Sequence, residues 1–289
     1  MIIDVHTHIG RSGRKRTGSL TPTELVLKMD GWGVAKSCVL PLADCPEGWY
    51  LRSTTEDVLR GCNLFPDRLI PFCLIDPRFG DNSPNTDFSG LLAEYKERGC
   101  KGVGEMVAHL DFDDPRVVNL CRQAGEAGFP VLFHLCVTGG RDYGLMADDE
   151  FTQLESVLQQ VPGTTFIGHG PHFWARILVD VPEDEREPDG PTVREGALPR
   201  LMARYPNLYG DLSAGSGYNG ITRNPEYGLE FLDRFQDKLL FGSDMIRRDL
   251  TEEHLPMITY IQRVHDEGKL ADAAFHKIVC SNITELLGL

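Results

Sequence analysis

The sequence predicts a (β/α)8 barrel, and three observations carry that prediction. The chain has 289 residues, 41% of them hydrophobic, enough to bury a large core. Short β-branched or apolar runs recur about every 30 residues, the length of a βα repeat. Helix-start and helix-stop residues lie between those runs.

The runs are IIDVHTH from residue 2, KSCVLPLA from 36, RLIPFCLID from 68, KGVGEMVA from 101, FPVLFHLC from 129, TTFIGHG from 164, NLYGDLSA from 207 and KLLFGSDM from 238. Between the first two, Thr21-Pro22-Thr23-Glu24 has capping-box spacing with proline at the first helical position, and Ser53 to Glu56 repeats the spacing. Leu91, Leu92 and Tyr95 form an apolar stripe stopped by Gly99, and Asp114-Pro115 opens a helix that ends at Gly128. FHKIVCSNITELLGL closes the chain as an amphipathic helix. Eight βα units argue for one barrel domain over 1–289. A doubly wound open sheet is the competing arrangement, ranked second because no strand ends in a Gly-x-Gly-x-x-Gly turn.

A formal charge of −14 argues against nucleic acid and anionic lipid as partners. No run approaches the roughly 18 apolar residues of a membrane span, and no basic segment precedes an apolar one at the N-terminus, so the expectation is a cytoplasmic protein. The eight cysteines include no C-x-x-C pair, and they read as reduced, mostly buried small hydrophobes. A homo-oligomer is compatible with all of this.

In a barrel of this kind, active sites form at the C-terminal ends of the strands. That is where the polar residues fall. His6 and His8 end the first run, Glu105 lies in the fourth, His134 in the fifth, His169 ends the sixth, Asp211 lies in the seventh and Asp244 ends the eighth. Side chains alternate along a strand, so His6 and His8 share a face while Val5 and Thr7 take the other. Singly, each residue has a plain structural reading: His134 as a hydrogen-bonded core residue, Asp244 as a helix cap, Asp211 as a loop anchor. Together they form a set suited to zinc or a similar divalent ion.

The ordered motifs D-V-H-T-H, F-H, F-I-G-H-G and L-L-F-G-S-D, with the closing K-I-V-C-S-N-I-T-E-L-L, resemble the amidohydrolase superfamily. They are most similar to its amidohydrolase 2 branch, which holds aminocarboxymuconate-semialdehyde decarboxylase and related lactonases. The resemblance implies that His6, His8 and His134 hold the metal, with Asp244 as a further ligand and proton shuttle. It implies that His169 is a second-metal ligand in a binuclear site or a catalytic histidine in a mononuclear one. Binuclear relatives carry a strand-four lysine; here Glu105 occupies that region, and it can ligate, bridge two ions or hydrogen-bond a ligand histidine. One Zn2+ is the favoured cofactor, with a binuclear site and manganese or iron as alternatives.

The basic loop RSGRKR, containing Arg11, Arg14, Lys15 and Arg16, leaves the first strand at the expected active face. It is either a solvated loop or a carboxylate-binding element, with Arg11 the leading residue and Arg247 and Arg248 similar candidates. Phe173 and Trp174 follow His169 and could wall an apolar substrate ring or simply pack. The acidic run Asp180, Glu183, Asp184, Glu185, Glu187 and Asp189 reads as a solvated loop able to cover the active face. The expected activity is metal-dependent hydrolysis of a small, anionic ester, lactone or amide. Metal-dependent decarboxylation of a small carboxylic acid is the alternative, and a non-catalytic metal- or ligand-binding barrel is the second.

Overall fold

The computed structural model describes residues 1–12, 19–42, 51–139, 143–179, 188 and 194–289. Arg14, Lys15, Arg16 and the acidic run at 180–189 lie outside the described residues, and so does the side chain of Arg11.

All eight expected strands form: β1 Ile2–Thr7, β2 Val34–Val39, β3 Leu69–Pro71, β4 Val103–Met106, β5 Val131–Val137, β6 Phe166–His169, β7 Leu208–Asp211 and β8 Leu239–Leu240. Parallel ladders join β1 to β2 and β2 to β3. They also join β4, β5, β6, β7 and β8 in sequence. Two narrower junctions complete the ring. The Cys73 amide donates to Gly102 O at 3.0 Å and Gly104 N donates to Cys73 O at 2.8 Å, linking β3 to β4. Val5 N donates to Phe241 O at 2.9 Å, and Thr7 bridges in parallel to Met245, linking β8 back to β1. A closed parallel ring with helices between its strands is a (β/α)8 barrel, and the open doubly wound sheet is excluded. Short strands Ala108–Asp111 and Gly144–Ala147 extend the mouth beyond β4 and β5.

Ile3, Val5, Cys38, Ile70, Leu132, Ile167 and Leu240 form one buried cluster. These residues come from opposite sides of the ring, so they meet only through its lumen. Ile283 and Leu287 of the C-terminal helix join them. A larger cluster holds the outward-facing strand residues, such as Val34, Val131 and Phe166, against the helices. Strict alternation on β1 fails, because Val5 faces the lumen although His6 and His8 reach the mouth. The register slips between Asp4 and Thr7, and this irregularity frees the histidines from simple alternation.

The Thr21–Glu24 capping box forms as expected on the helix Pro22–Trp32. The second box sits one residue later than expected: Thr54 and Asp57 make it, and the helix is Thr55–Cys62. Threonine and aspartate supply the same reciprocal bonds as serine and glutamate, and the spacing alone did not distinguish the two registers. The closing segment is not one regular helix. Lys277–Ser281 is a π turn between Asp272–His276 and Asn282–Leu287, and the Ile278 carbonyl accepts from Phe241 N at 2.9 Å, just beyond β8.

Candidate metal centre

Side chains from β1, β4, β5, β6 and β7, and from the segment after β8, converge at the C-terminal mouth. His6 Nε2 and His8 Nε2 lie 2.9 Å apart. Glu105 Oε2 is 3.6 Å from His6 Nε2 and 3.5 Å from His8 Nε2. Asp244 Oδ1 is 3.7 and 3.5 Å from the same two atoms. In a shell with bonds of about 2.1 Å, neighbouring donor atoms lie roughly 3.0–3.4 Å apart. The separations here, 2.9 to 3.7 Å, lie within a few tenths of an ångström of that range, so small side-chain shifts would bring these donors around one divalent ion.

The other ring nitrogen of each of these histidines is occupied. His8 Nδ1 donates to the Leu40 carbonyl at 2.8 Å, and His6 Nδ1 donates to Asp211 Oδ2 at 2.6 Å. A carbonyl can only accept, so in neutral His8 the lone pair is on Nε2, aimed into the site.

Glu105 has a second set of neighbours. His134 Nδ1 donates to its Oε1 at 2.8 Å, and His169 Nε2 lies 4.0 Å from that oxygen. Three residue groups could hold an ion: His6, His8 and Asp244; Glu105, His134 and His169; and His6, His169 and Asp211. His134 thus faces the first pair of histidines across Glu105 and does not lie in their group.

All of these side chains are buried except Asp244, whose carboxylate is 24% exposed and is the one that meets the mouth. Burial disfavours ionised Glu105, but the hydrogen bond from His134 and the nearby His6 ring outweigh it and hold the carboxyl well below its usual range. For Asp211, too, burial opposes ionisation, and the His6 and His169 partners overcome it and lower the pKa. Burial pushes His134 down, towards the neutral imidazole that a metal requires.

Asp244 has φ 59°, a left-handed conformation that aspartate tolerates better than most residues. Its amide donates to His6 O at 2.8 Å, and His8 N donates to Met245 O at 2.9 Å. Through these bonds the last strand segment is fixed directly to the histidine pair. Asp4 strengthens the junction: its Oδ1 accepts from His6 N and Ser243 N, each at 3.0 Å.

The proposed substrate residues are not gathered in the same way. Trp174 and Phe173 are fully buried, so neither is a wall of the mouth. The short helix Pro171–Ala175 turns both rings inward: Phe173 packs on Phe133 and Phe151, and Trp174 Nε1 donates to Asp211 O at 2.8 Å. Arg247 pairs with Asp249 at 3.2 Å, and Arg248 lies 3.9 Å from Glu24. The backbone of Arg11 pairs antiparallel with Arg52.

Three contributors were not singled out in the sequence. Ser213 joins Asp211 to His169, Asp4 clamps the junction of β1 and the last segment, and the Tyr143 ring packs tilted against His134 with ring centres 4.3 Å apart. The D-x-S spacing after β7 was a usable signal for Ser213, since residues two apart on a strand end can reach the same point.

Residues 51–289 match the amidohydrolase family model, and the chain belongs to that family. Among curated proteins none matches its sequence. In three dimensions it is similar to a zinc-bound amidohydrolase from Burkholderia multivorans, with TM-score 0.67 and 13% identity over 100% of this chain and 99% of that one. It is also similar to a probable 2-pyrone-4,6-dicarboxylic acid hydrolase from Acinetobacter baumannii, with TM-score 0.62 and 16% identity over 100% and 99% of the two chains. A third similar structure is 2,6-dihydroxybenzoate decarboxylase from Rhizobium, with TM-score 0.61 and 15% identity over 99% and 98%. Family membership and candidate site together define an enzyme of the amidohydrolase type. No helix among the described residues is long and apolar enough to cross a membrane.

Proposed function

We propose that the protein is a metal-dependent hydrolase acting on a small, anionic ester, lactone or amide. The observation that carries this reading is that His6 Nε2 and His8 Nε2 lie 2.9 Å apart, with Glu105 Oε2 and Asp244 Oδ1 each 3.5 to 3.7 Å from both. We further propose one zinc ion per chain in that group, since imidazole and carboxylate donors suit zinc. A divalent ion held there supplies a Lewis acid and lowers the pKa of a water molecule towards about 7.

The chain's own residues do the rest. Asp244, the partly exposed carboxylate, turns Oδ1 to the two histidines and takes a proton at its other oxygen, Oδ2, to return it to the leaving group. His6 and His8 are fixed by the bonds at their far nitrogens. Glu105 is held by His134, and His169 Nε2 stands 4.0 Å from it as a further metal ligand or proton acceptor. Arg11 and Arg247 are the proposed anion-binding residues, on their positions in the chain just after His8 and Asp244. Seven described cysteines are free, which fits the reducing cytoplasm we propose as its location.

Elemental analysis of the purified protein, paired with a substrate panel, tests the reading. About one equivalent of zinc and acid release from lactones, esters or amides are expected, with both activity and metal lost on chelation. A count near two would place a second ion at His134 and His169. Carbon dioxide release from aromatic carboxylates would reassign the enzyme as a carboxy-lyase. Absence of any bound or required metal would overturn the site.

A further inference from the structure

We infer that Asp211 sets the tautomers of two histidines at once, His6 directly and His169 through the hydroxyl of Ser213, so that both present an unprotonated Nε2 to the site. The inference builds on the proposed metal centre and adds a positioning role for Ser213.

Asp211 Oδ2 is 2.6 Å from His6 Nδ1 and 2.8 Å from Ser213 Oγ, and Ser213 Oγ is 2.9 Å from His169 Nδ1. All four side chains are buried. An ionised carboxylate only accepts, so the single hydroxyl proton of Ser213 goes to Asp211. The Ser213 oxygen is then an acceptor for His169, whose proton must be on Nδ1. The same carboxylate oxygen fixes the proton of His6 on Nδ1. In the neutral rings the lone pair is left on Nε2, the atom that faces Glu105, and in His6 that lone pair meets His8 Nε2 at 2.9 Å, a separation that calls for a shared cation between them. His169 Nδ1 is also 3.3 Å from Asp211 Oδ2, longer than the relay through Ser213 and in competition with two shorter contacts at that oxygen.

Two variants separate the direct arm from the relayed one. In Asp211→Asn the side-chain oxygen stays where Ser213 N donates to Oδ1 at 3.0 Å. Its amide nitrogen must then donate to His6 Nδ1 and Ser213 Oγ, reversing both tautomers. Ser213→Ala removes only the relay. Ring 15N shifts of the full-length, metal-free protein at alkaline pH report each tautomer, so the result does not depend on turnover or on the identity of the metal.

Expected are Nδ1–H for both histidines in the wild type and Nε2–H for both in Asp211→Asn. In Ser213→Ala, His169 should lose its single tautomer while His6 is unchanged. Zinc affinity should fall about 10- to 100-fold in Asp211→Asn. His169 found as Nε2–H in the wild type, or unchanged in Ser213→Ala, overturns the relay. Should Asp211→Asn not fold, Ser213→Ala decides the question alone. Loss of zinc binding in the wild type itself would sink the metal reading and leave the tautomer result standing.

Discussion

Gly242 lies against the carboxylate of Asp211 so closely that a Cβ there would sit 2.4 Å from Asp211 Oδ1, and 2.9 Å from the Cβ of Ser213. The absence of a side chain at 242 is therefore what lets Asp211 reach His6. Gly242→Ala should displace the carboxylate, because neither neighbour is the free end of a flexible chain. We expect about 1–3 kcal/mol of lost stability from overpacking and a metal affinity reduced about 10-fold or more. Denaturant melts combined with zinc titration check both, and wild-type affinity in a folded variant would show that Asp211 has room to move.

Asp244 is the candidate shuttle because it combines proximity to both histidines with contact with solvent. Asparagine tolerates the left-handed backbone at φ 59° and keeps a carbonyl oxygen as donor to a metal. Asp244→Asn should therefore fold and retain most of its metal. Removing a general acid–base group should lower kcat about 10²- to 10⁴-fold. Metal analysis alongside steady-state kinetics tests this, and unchanged turnover would remove Asp244 from the proton path.

The barrel was legible in the sequence because its signal is repeated: eight apolar runs at regular spacing leave few topologies. The candidate site was legible because polar residues at strand ends have no cheap place in a barrel core other than a site. Less legible were features that depend on which partner lies opposite. Phe173 and Trp174 follow His169 directly, yet the helix turn after β6 carries them into the core, and nothing in the local sequence separates a buried ring from a wall of the mouth. The strict alternation predicted for β1 fails at a register shift that is written in its pairing with β2, not in β1 alone. Ser213 becomes informative only once Asp211, His6 and His169 are known to meet.

Away from the mouth, Glu155 ties the helix Thr152–Gln160 to Ala197–Arg204, accepting from Arg200 at 2.9 Å, Arg204 at 2.8 Å and the Tyr205 hydroxyl at 2.8 Å. Burial raises its pKa, but Arg200, Tyr205 and Arg204 together outweigh it and hold the carboxyl below the ordinary glutamate range. The folded pKa is depressed, so this contribution is present above the unfolded value of about 4.3 and is lost as pH falls through the folded pKa. Glu155→Gln should cost about 1–2 kcal/mol at pH 7 and show a smaller further loss between pH 5 and 3 than the wild type. Parallel acid-denaturation curves would rule out the role of its charge.

Trp174 supplies the sharpest contrast between packing and recognition. Its ring is fully buried and its indole donates to the Asp211 carbonyl at 2.8 Å, while Gly210 and Gly220 approach it so closely that a Cβ at either would lie 3.1–3.2 Å from its ring atoms. Trp174→Phe removes the donor and part of the ring, leaving a small void and an unpaired buried carbonyl beside β7. Together these should cost about 2–4 kcal/mol of stability. A ring with no exposed surface offers nothing for a ligand to touch, so KM should stay within about 2-fold of wild type, the residual effect of a small shift in Asp211. A stable variant with KM raised tenfold would return Trp174 to the substrate-binding surface, because loss of packing alone lowers the amount of folded enzyme and leaves the affinity of the folded fraction unchanged.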